Sequence, residues 1–89
     1  MEFIYRVHAL ERMFERELSE EAVEYAIKNG VIIEEYLNDK PYPSYLVSCV
    51  FDGKNLHVVY AKSKNSIIII TVYEPSLKKW EKDFKTRKK

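Results

Sequence analysis

The spacing of apolar residues changes once along the chain, at Gly30. Before it, Ala9, Leu10, Met13 and Phe14 recur at helical spacing, which predicts a helix from about His8 to Glu17. Leu18-Ser19 breaks that pattern. Ser19 is a good N-cap, and Glu20 and Glu21 follow where a helix start favours negative charge. A second helix is therefore predicted to about Asn29, with Ala22, Val23, Ala26 and Ile27 inward and Gly30 as the C′ residue, the usual place for a left-handed glycine. After Gly30 the period is that of strands. Val31 to Leu37, Tyr45 to Phe51, Leu56 to Lys62 and Ile67 to Tyr73 are β-branched and aromatic. A polar loop with Pro41 and Pro43, a turn at Asp52-Gly53-Lys54-Asn55 and a second turn at Ser63 to Ser66 separate them.

Four consecutive isoleucines, Ile67 to Ile70, require an interior strand covered on both faces, because an exposed edge of that kind would aggregate. Glu2 to Val7 alternates loosely and reads as a short extended lead-in. Ser76 to Lys85 reads as a last short helix that docks Leu77, Trp80 and Phe84. The expectation is an α+β fold in one domain, residues 1–89. It has two N-terminal helices packed on one side of a four-stranded antiparallel sheet, and a short C-terminal helix.

Composition narrows the class. With 89 residues, 46% hydrophobic and only two Gly and three Pro, the chain is neither disordered nor low-complexity. One cysteine excludes a disulfide framework and a thiolate zinc cage and fits a reducing, cytoplasmic setting; Cys49 reads as a buried inert thiol. The longest aliphatic run, Ile67 to Ile70, is far short of the ~20 residues of a membrane helix, and no signal-like segment opens the chain. The absence of Gln beside abundant Glu, Lys, Ile and Val is a thermophile-like bias. The formal charge of +1 excludes a histone-like polycation, but it is a cancellation. Residues 1–77 carry 8 basic and 12 acidic side chains, a balance of −4, whereas residues 78–89 carry 7 and 2, a balance of +5. Such a tail is either a solubilising end or a phosphate-contacting arm. Lys85, Arg87 and Lys88 are its candidate RNA contacts.

Phosphate loops, HExxH, paired cysteines and a nucleophile elbow are absent from the sequence. His8, His57 and Cys49 have no spacing that supports a metal, and no cofactor is implied. The first helix is the unusual element. His8, Arg12 and Arg16 follow i, i+4, i+8 spacing along one side. They form either a solvated face held by ion pairs or an imidazole flanked by guanidinium groups suited to phosphate esters. His57 lies opposite Leu56, Val58 and Tyr60 in strand period, as a satisfied structural group or a general acid or base. Thr71 and Tyr73 share a strand face that can bring their hydroxyls to His57 or to a bound phosphate. Cleaving RNA without a metal needs a base near the ribose 2′-hydroxyl, an acid near the leaving oxygen and cations for the phosphorane. This residue set supplies those types.

The ordered blocks His8-Ala9-Leu10-Glu11-Arg12-Met13-Phe14-Glu15-Arg16, Leu18-Ser19-Glu20-Glu21-Ala22-Val23 and Asn29-Gly30 resemble the opening of a small prokaryotic family, domain of unknown function 4258. Pro41-Tyr42-Pro43-Ser44, Leu56-His57-Val58-Val59-Tyr60, Ile70-Thr71-Val72-Tyr73 and Trp80-Glu81-Lys82-Asp83-Phe84 match its later blocks, so the resemblance runs from His8 to about Lys85. Members of that family resemble RelE-like and BrnT-like toxins of prokaryotic toxin–antitoxin pairs, which are metal-independent ribonucleases. The resemblance implies a RelE/BrnT-like fold and RNA as a partner. It also implies a small antitoxin protein, of zinc-finger type beside some members, and leaves a homodimer open. Its marked positions are His8, Arg12, Arg16, His57, Thr71 and Tyr73 here. Catalytic residues vary among such toxins, so the resemblance assigns no acid or base; together with the His-Arg-Arg face of the first helix it leads to the expectation of His57 as base or acid, His8 as its partner or a backbone-positioning residue, Arg12 and Arg16 on the phosphate, and Tyr73 orienting the substrate. Toxin surfaces of that type are strongly basic, whereas this chain is at +1. The competing function is a non-catalytic module that binds an antitoxin-like or other small protein through a sheet edge or its terminal segment.

Overall fold

A computed structural model describes all of residues 1–89. Its elements run β1 (Glu2–Tyr5), α1 (Val7–Arg16), α2 (Glu20–Asn29), β2 (Val31–Tyr36), β3 (Ser44–Phe51), β4 (Lys54–Lys62) and β5 (Ser66–Tyr73). The strands form one sheet in the order β1-β5-β4-β3-β2, antiparallel throughout except that β1 runs parallel to β5.

This corrects the expected four-stranded antiparallel sheet at one end. Once β4 has paired with one side of β5, the isoleucine strand still has a free edge. Phe3 and Tyr5 alternate in a way that meets Ile67 and Ile69, so the lead-in segment takes that edge as a fifth strand. β5 is thus interior, as its composition demanded.

The other end is corrected too, because Ser76 to Lys85 forms no helix. One turn closes when Lys79 and Trp80 donate their N–H groups to the Ser76 carbonyl. The Asp83 carboxylate then takes the N–H groups of Lys85 and Thr86 and the Thr86 hydroxyl, at 2.9–3.1 Å. That local capture is the standard way an aspartate diverts a chain from helix to turn. Glu81 N–H bonds Thr86 O, Lys88 N–H bonds Lys79 O, and Trp80 bridges Arg87. The result is an irregular cap over residues 76–89. Of its three apolar residues Trp80 is buried, Phe84 is half-buried and Leu77 is exposed.

Local signals set most of the rest. Ser19 Oγ accepts the Ala22 N–H at 3.1 Å and caps α2. Asp52 and Gly53 both have positive φ, 51° and 78°, as a two-residue type I′ hairpin turn requires. Gly30 stops α2 where the sequence places the stop. It ends α2 in extended backbone, φ −78°, not in a left-handed turn. Glycine is needed there for closeness, since an added Cβ would lie 2.6 Å from Ala26 O and 2.7 Å from both Ser48 O and Val47 Cγ2.

Both helices pack on one face of the sheet. Ala9, Met13, Val23 and Ala26 meet Val47, Val58, Tyr60, Ile67, Ile69 and Val72 there, with Cys49 at the margin. Each fully buried aliphatic side chain contributes roughly 1.5–3 kcal/mol relative to exposure. The Cys49 thiol is pushed up in pKa by burial, as an inert thiol should be. No helix is long and apolar enough to cross a membrane.

Candidate functional site

The sheet's second face carries the polar side chains. Strand register sets Ser48, His57 and Tyr73 side by side in one row across β3, β4 and β5. β2 joins this face through a bulge at Ile33. Strict alternation from Val31 would send Glu34 to the helix face, but the extra residue pairs Glu34 with Leu46 and turns its carboxylate toward the row. Tyr36 follows on the same face and donates its hydroxyl to Glu34 Oε1.

The cap closes over this row. His57 is fully buried, with Trp80 packed edge-on against it at 4.5 Å between ring centroids and 88° between planes. Phe84 lies in the left-handed region, φ 56°, an arrangement that costs a bulky residue roughly 1–2 kcal/mol. The Phe84 carbonyl is brought within 2.6 Å of His57 Nε2 and 3.3 Å of Ser48 Oγ.

This geometry fixes the tautomer. A carbonyl only accepts, so Nε2 carries the imidazole proton and Nδ1 keeps its lone pair. Nδ1 lies 3.1 Å from the Tyr73 hydroxyl, which therefore donates to it. Burial lowers the His57 pKa from its ordinary value, against the raising effect of the Phe84 carbonyl and of Glu34, so the ring is neutral near pH 7. Burial likewise raises the Tyr73 phenol. Tyr73 and His57 are thus a neutral phenol–imidazole pair with one proton poised between them.

Glu34 and Arg87 lock the rim. Arg87 donates Nε–H and Nη2–H to the two Glu34 oxygens at 2.6 and 3.1 Å, and its guanidinium lies 4.6 Å from the Trp80 ring centroid. The Arg87 pair holds the Glu34 carboxyl below its usual range. Beside the lock, Arg16 from the end of α1 joins Tyr73, Glu74, Ser76, Lys79, Trp80 and Arg87 around a cleft of about 450 Å³. Three cations, the Glu74 carboxylate and the phenol of the proton pair therefore border one space, with a net balance of two positive charges.

Of the residues singled out from sequence, His57, Tyr73, Arg16 and Arg87 meet at this place. Thr71 sits on the same face, opposite Val59, and is half-buried. Arg12 and His8 lie one and two helical turns back from Arg16, both exposed, and Arg12 pairs with Glu15 at 3.3 Å. His8 does not approach His57: it lies on α1, on the solvent side, while His57 lies under the cap. Lys85 borders a separate recess with Tyr25, Asn29 and Asp83, and Lys88 is exposed on the cap. Trp80, Glu34, Tyr36, Ser48 and Lys79 complete the site without having been singled out for chemistry. The lone tryptophan was the one available signal among them. Glu34 was hidden by the bulge.

No curated protein and no solved structure matches the chain. Residues 5–74 match the family described as Domain of unknown function (DUF4258), a span that holds both helices, β2 to β5 and the Ser48–His57–Tyr73 row and ends just before the cap. The chain belongs to that family.

Proposed function

We propose that this protein is a metal-independent ribonuclease of the toxin type, acting on RNA in the cytoplasm and held in check by a small antitoxin protein. The observation that carries this reading is the Tyr73 phenol, backed by Nδ1 of a tautomer-fixed His57 and opening on a cleft with Arg16, Lys79 and Arg87. In the proposed reaction the ribose 2′-hydroxyl gives its proton to the Tyr73 oxygen as the phenol's own proton passes to His57 Nδ1. The 2′-oxygen then attacks the adjacent phosphorus, and the 5′-oxygen departs with a proton from solvent. A 2′,3′-cyclic phosphate and a 5′-hydroxyl result, and His57 returns its proton to Tyr73, which releases one proton to solvent and restores the neutral pair. The cations hold the phosphorane charge. Arg12 and then His8 follow Arg16 back along α1 in four-residue steps of about 6 Å.

The test is cleavage of naked RNA and of ribosome-engaged messenger by the pure chain, with cyclic-phosphate ends as readout. Tyr73→Phe and His57→Gln should each slow cleavage about 10²–10⁴-fold, the usual worth of a positioned proton acceptor. Wild-type protein that cleaves neither substrate, or variants equal to it, would refute the reading.

One observation favours the non-catalytic module instead. Val7, Leu10 and Phe14 form an i, i+3, i+7 row on α1 and are 72%, 45% and 86% exposed. An unpartnered apolar row of this kind suits a small protein partner. If Phe14→Asp abolishes partner binding while His57→Gln and Tyr73→Phe leave every cellular effect intact, the module reading replaces the ribonuclease.

A further inference from the structure

Arg87 occupies its place in a way that an ordinary surface ion pair does not require. A planar group lies over an indole and offers two adjacent N–H donors, Nε–H and Nη2–H, to the two oxygens of one carboxylate. Guanine presents the same pattern: its N1–H and exocyclic N2–H project side by side from a planar N–C–N unit that is itself a guanidine. Adenine and cytosine place an acceptor beside their exocyclic donor on that edge, and uracil places one donor between two acceptors. A carboxylate has only acceptors, so of the four bases guanine alone satisfies it twice.

We infer that Trp80 and Glu34 form a guanine-binding site, which Arg87 fills as an internal stand-in until a guanine nucleotide enters the cleft. This deepens the RNA-directed reading by naming the base.

Each part of the site is held from behind. The Trp80 indole packs at 88° to the buried His57 ring, 4.5 Å between centroids, a support separate from the Arg87 side chain that covers it. Tyr36 orients the Glu34 carboxylate by donating to Oε1. Arg87 is the loose part. Its side chain is 55% exposed whereas Glu34 is 24% exposed, so water reaches the guanidinium, and a ligand that offers the same two donors can compete for the carboxylate. Releasing Arg87 needs one side chain to swing, with no change in the cap's backbone. The neighbouring cleft holds Arg16 and Lys79 against the single carboxylate of Glu74, a balance that suits the phosphate of a nucleotide whose base stacks on Trp80.

Trp80 is the only tryptophan in the chain, so its fluorescence reports the site directly. The experiment titrates the full chain at low salt with 5′-GMP, 5′-AMP, 5′-CMP and 5′-UMP. GMP should quench Trp80 and bind at least about tenfold more tightly than the other three, the scale set by leaving buried polar groups unpaired. Arg87→Ala removes the stand-in and should bind GMP several-fold more tightly than the wild type. Arg87→Lys, which keeps the charge but offers no fork, should fall between them. Glu34→Gln replaces one acceptor by a donor and should erase the preference for GMP, with circular dichroism confirming its fold. If Arg87→Ala binds no GMP, or binds all four nucleotides alike, the proposal is overturned. Glu34→Gln that keeps the preference overturns it as well. The two readings fail separately: cleavage without guanine preference removes this site alone, and guanine binding without cleavage removes the ribonuclease alone.

Discussion

Val58 and His57 are neighbours in β4, fully buried on opposite faces of the same sheet, and they face different environments. Val58 lies in the core between the sheet and the two helices, which is built almost wholly of aliphatic side chains, with the Tyr60 hydroxyl and the Cys49 thiol as its polar groups and Tyr5 and Tyr45 at its edge. His57 meets a cap with neither helix nor strand, and both of its ring nitrogens are occupied. On the helix face stability is spread over many small dispersion contacts. On the cap face it is concentrated in one indole and a few directed bonds. A face built the first way tolerates shape changes and does no chemistry. A face built the second way holds groups at fixed angles, and it is correspondingly sensitive to each of them.

The largest expected effect tests that contrast directly. Trp80→Ala should cost about 3–5 kcal/mol in denaturant unfolding and also release His57 to solvent, visible as a histidine that titrates near its ordinary value. Ile69→Ala on the helix face should cost about 2–5 kcal/mol and leave the His57 titration unchanged. Similar titrations in the two variants would break the comparison. Next in size is Gly30→Ala. Two of the three nearest atoms to the added methyl are backbone oxygens, which yield poorly, so the α2–β3 approach must open at a cost of about 1–3 kcal/mol by the same measurement.

The smallest effect is a pH dependence that belongs to the cap face. The folded His57 pKa lies below the unfolded value of about 6.5. Above pH 6.5 both states are neutral and the group contributes no slope. As pH falls below 6.5 the unfolded chain takes a proton that the folded chain refuses, so stability declines until the folded pKa is reached. The slope is at most about 1.4 kcal/mol per pH unit for one proton. His57→Gln should remove it. Glu34, with its folded pKa depressed, loses its contribution only at more acid pH, below its ordinary value of 4.5, so its window opens lower than that of His57. An unchanged slope in His57→Gln would show that the cap face does not hold the ring neutral.

How far the sequence reveals the molecule follows the same division. α2 with its Ser19 cap, the Asp52-Gly53 turn and the interior place of β5 are visible in residue order, because each rests on a local signal. β1 was not, since four residues of loose alternation become a strand only when a free edge of β5 is available. The cap was misread as a helix for a related reason: Leu77, Trp80 and Phe84 have helical spacing, and only the Asp83 side chain and the underlying His57 decide against it. At the candidate site, His57, Tyr73, Arg16 and Arg87 announce themselves by residue type. Glu34 does not. Counting by twos along β2 assigns it to the wrong face, and the count fails at Ile33, whose bulge no local preference marks.

The charge division between body and cap also bears on how the molecule meets others. With a formal charge of +1 the chain feels almost no net pull toward a distant polyanion. A body near −4 joined to a cap segment near +5 is nonetheless a strong electric dipole, and a dipole in a field gradient is turned before it is drawn in. A strand of nucleic acid would not collect these molecules from far away. It would rotate those that diffuse close, so that they arrive cap first, with the Arg16–Tyr73 cleft leading.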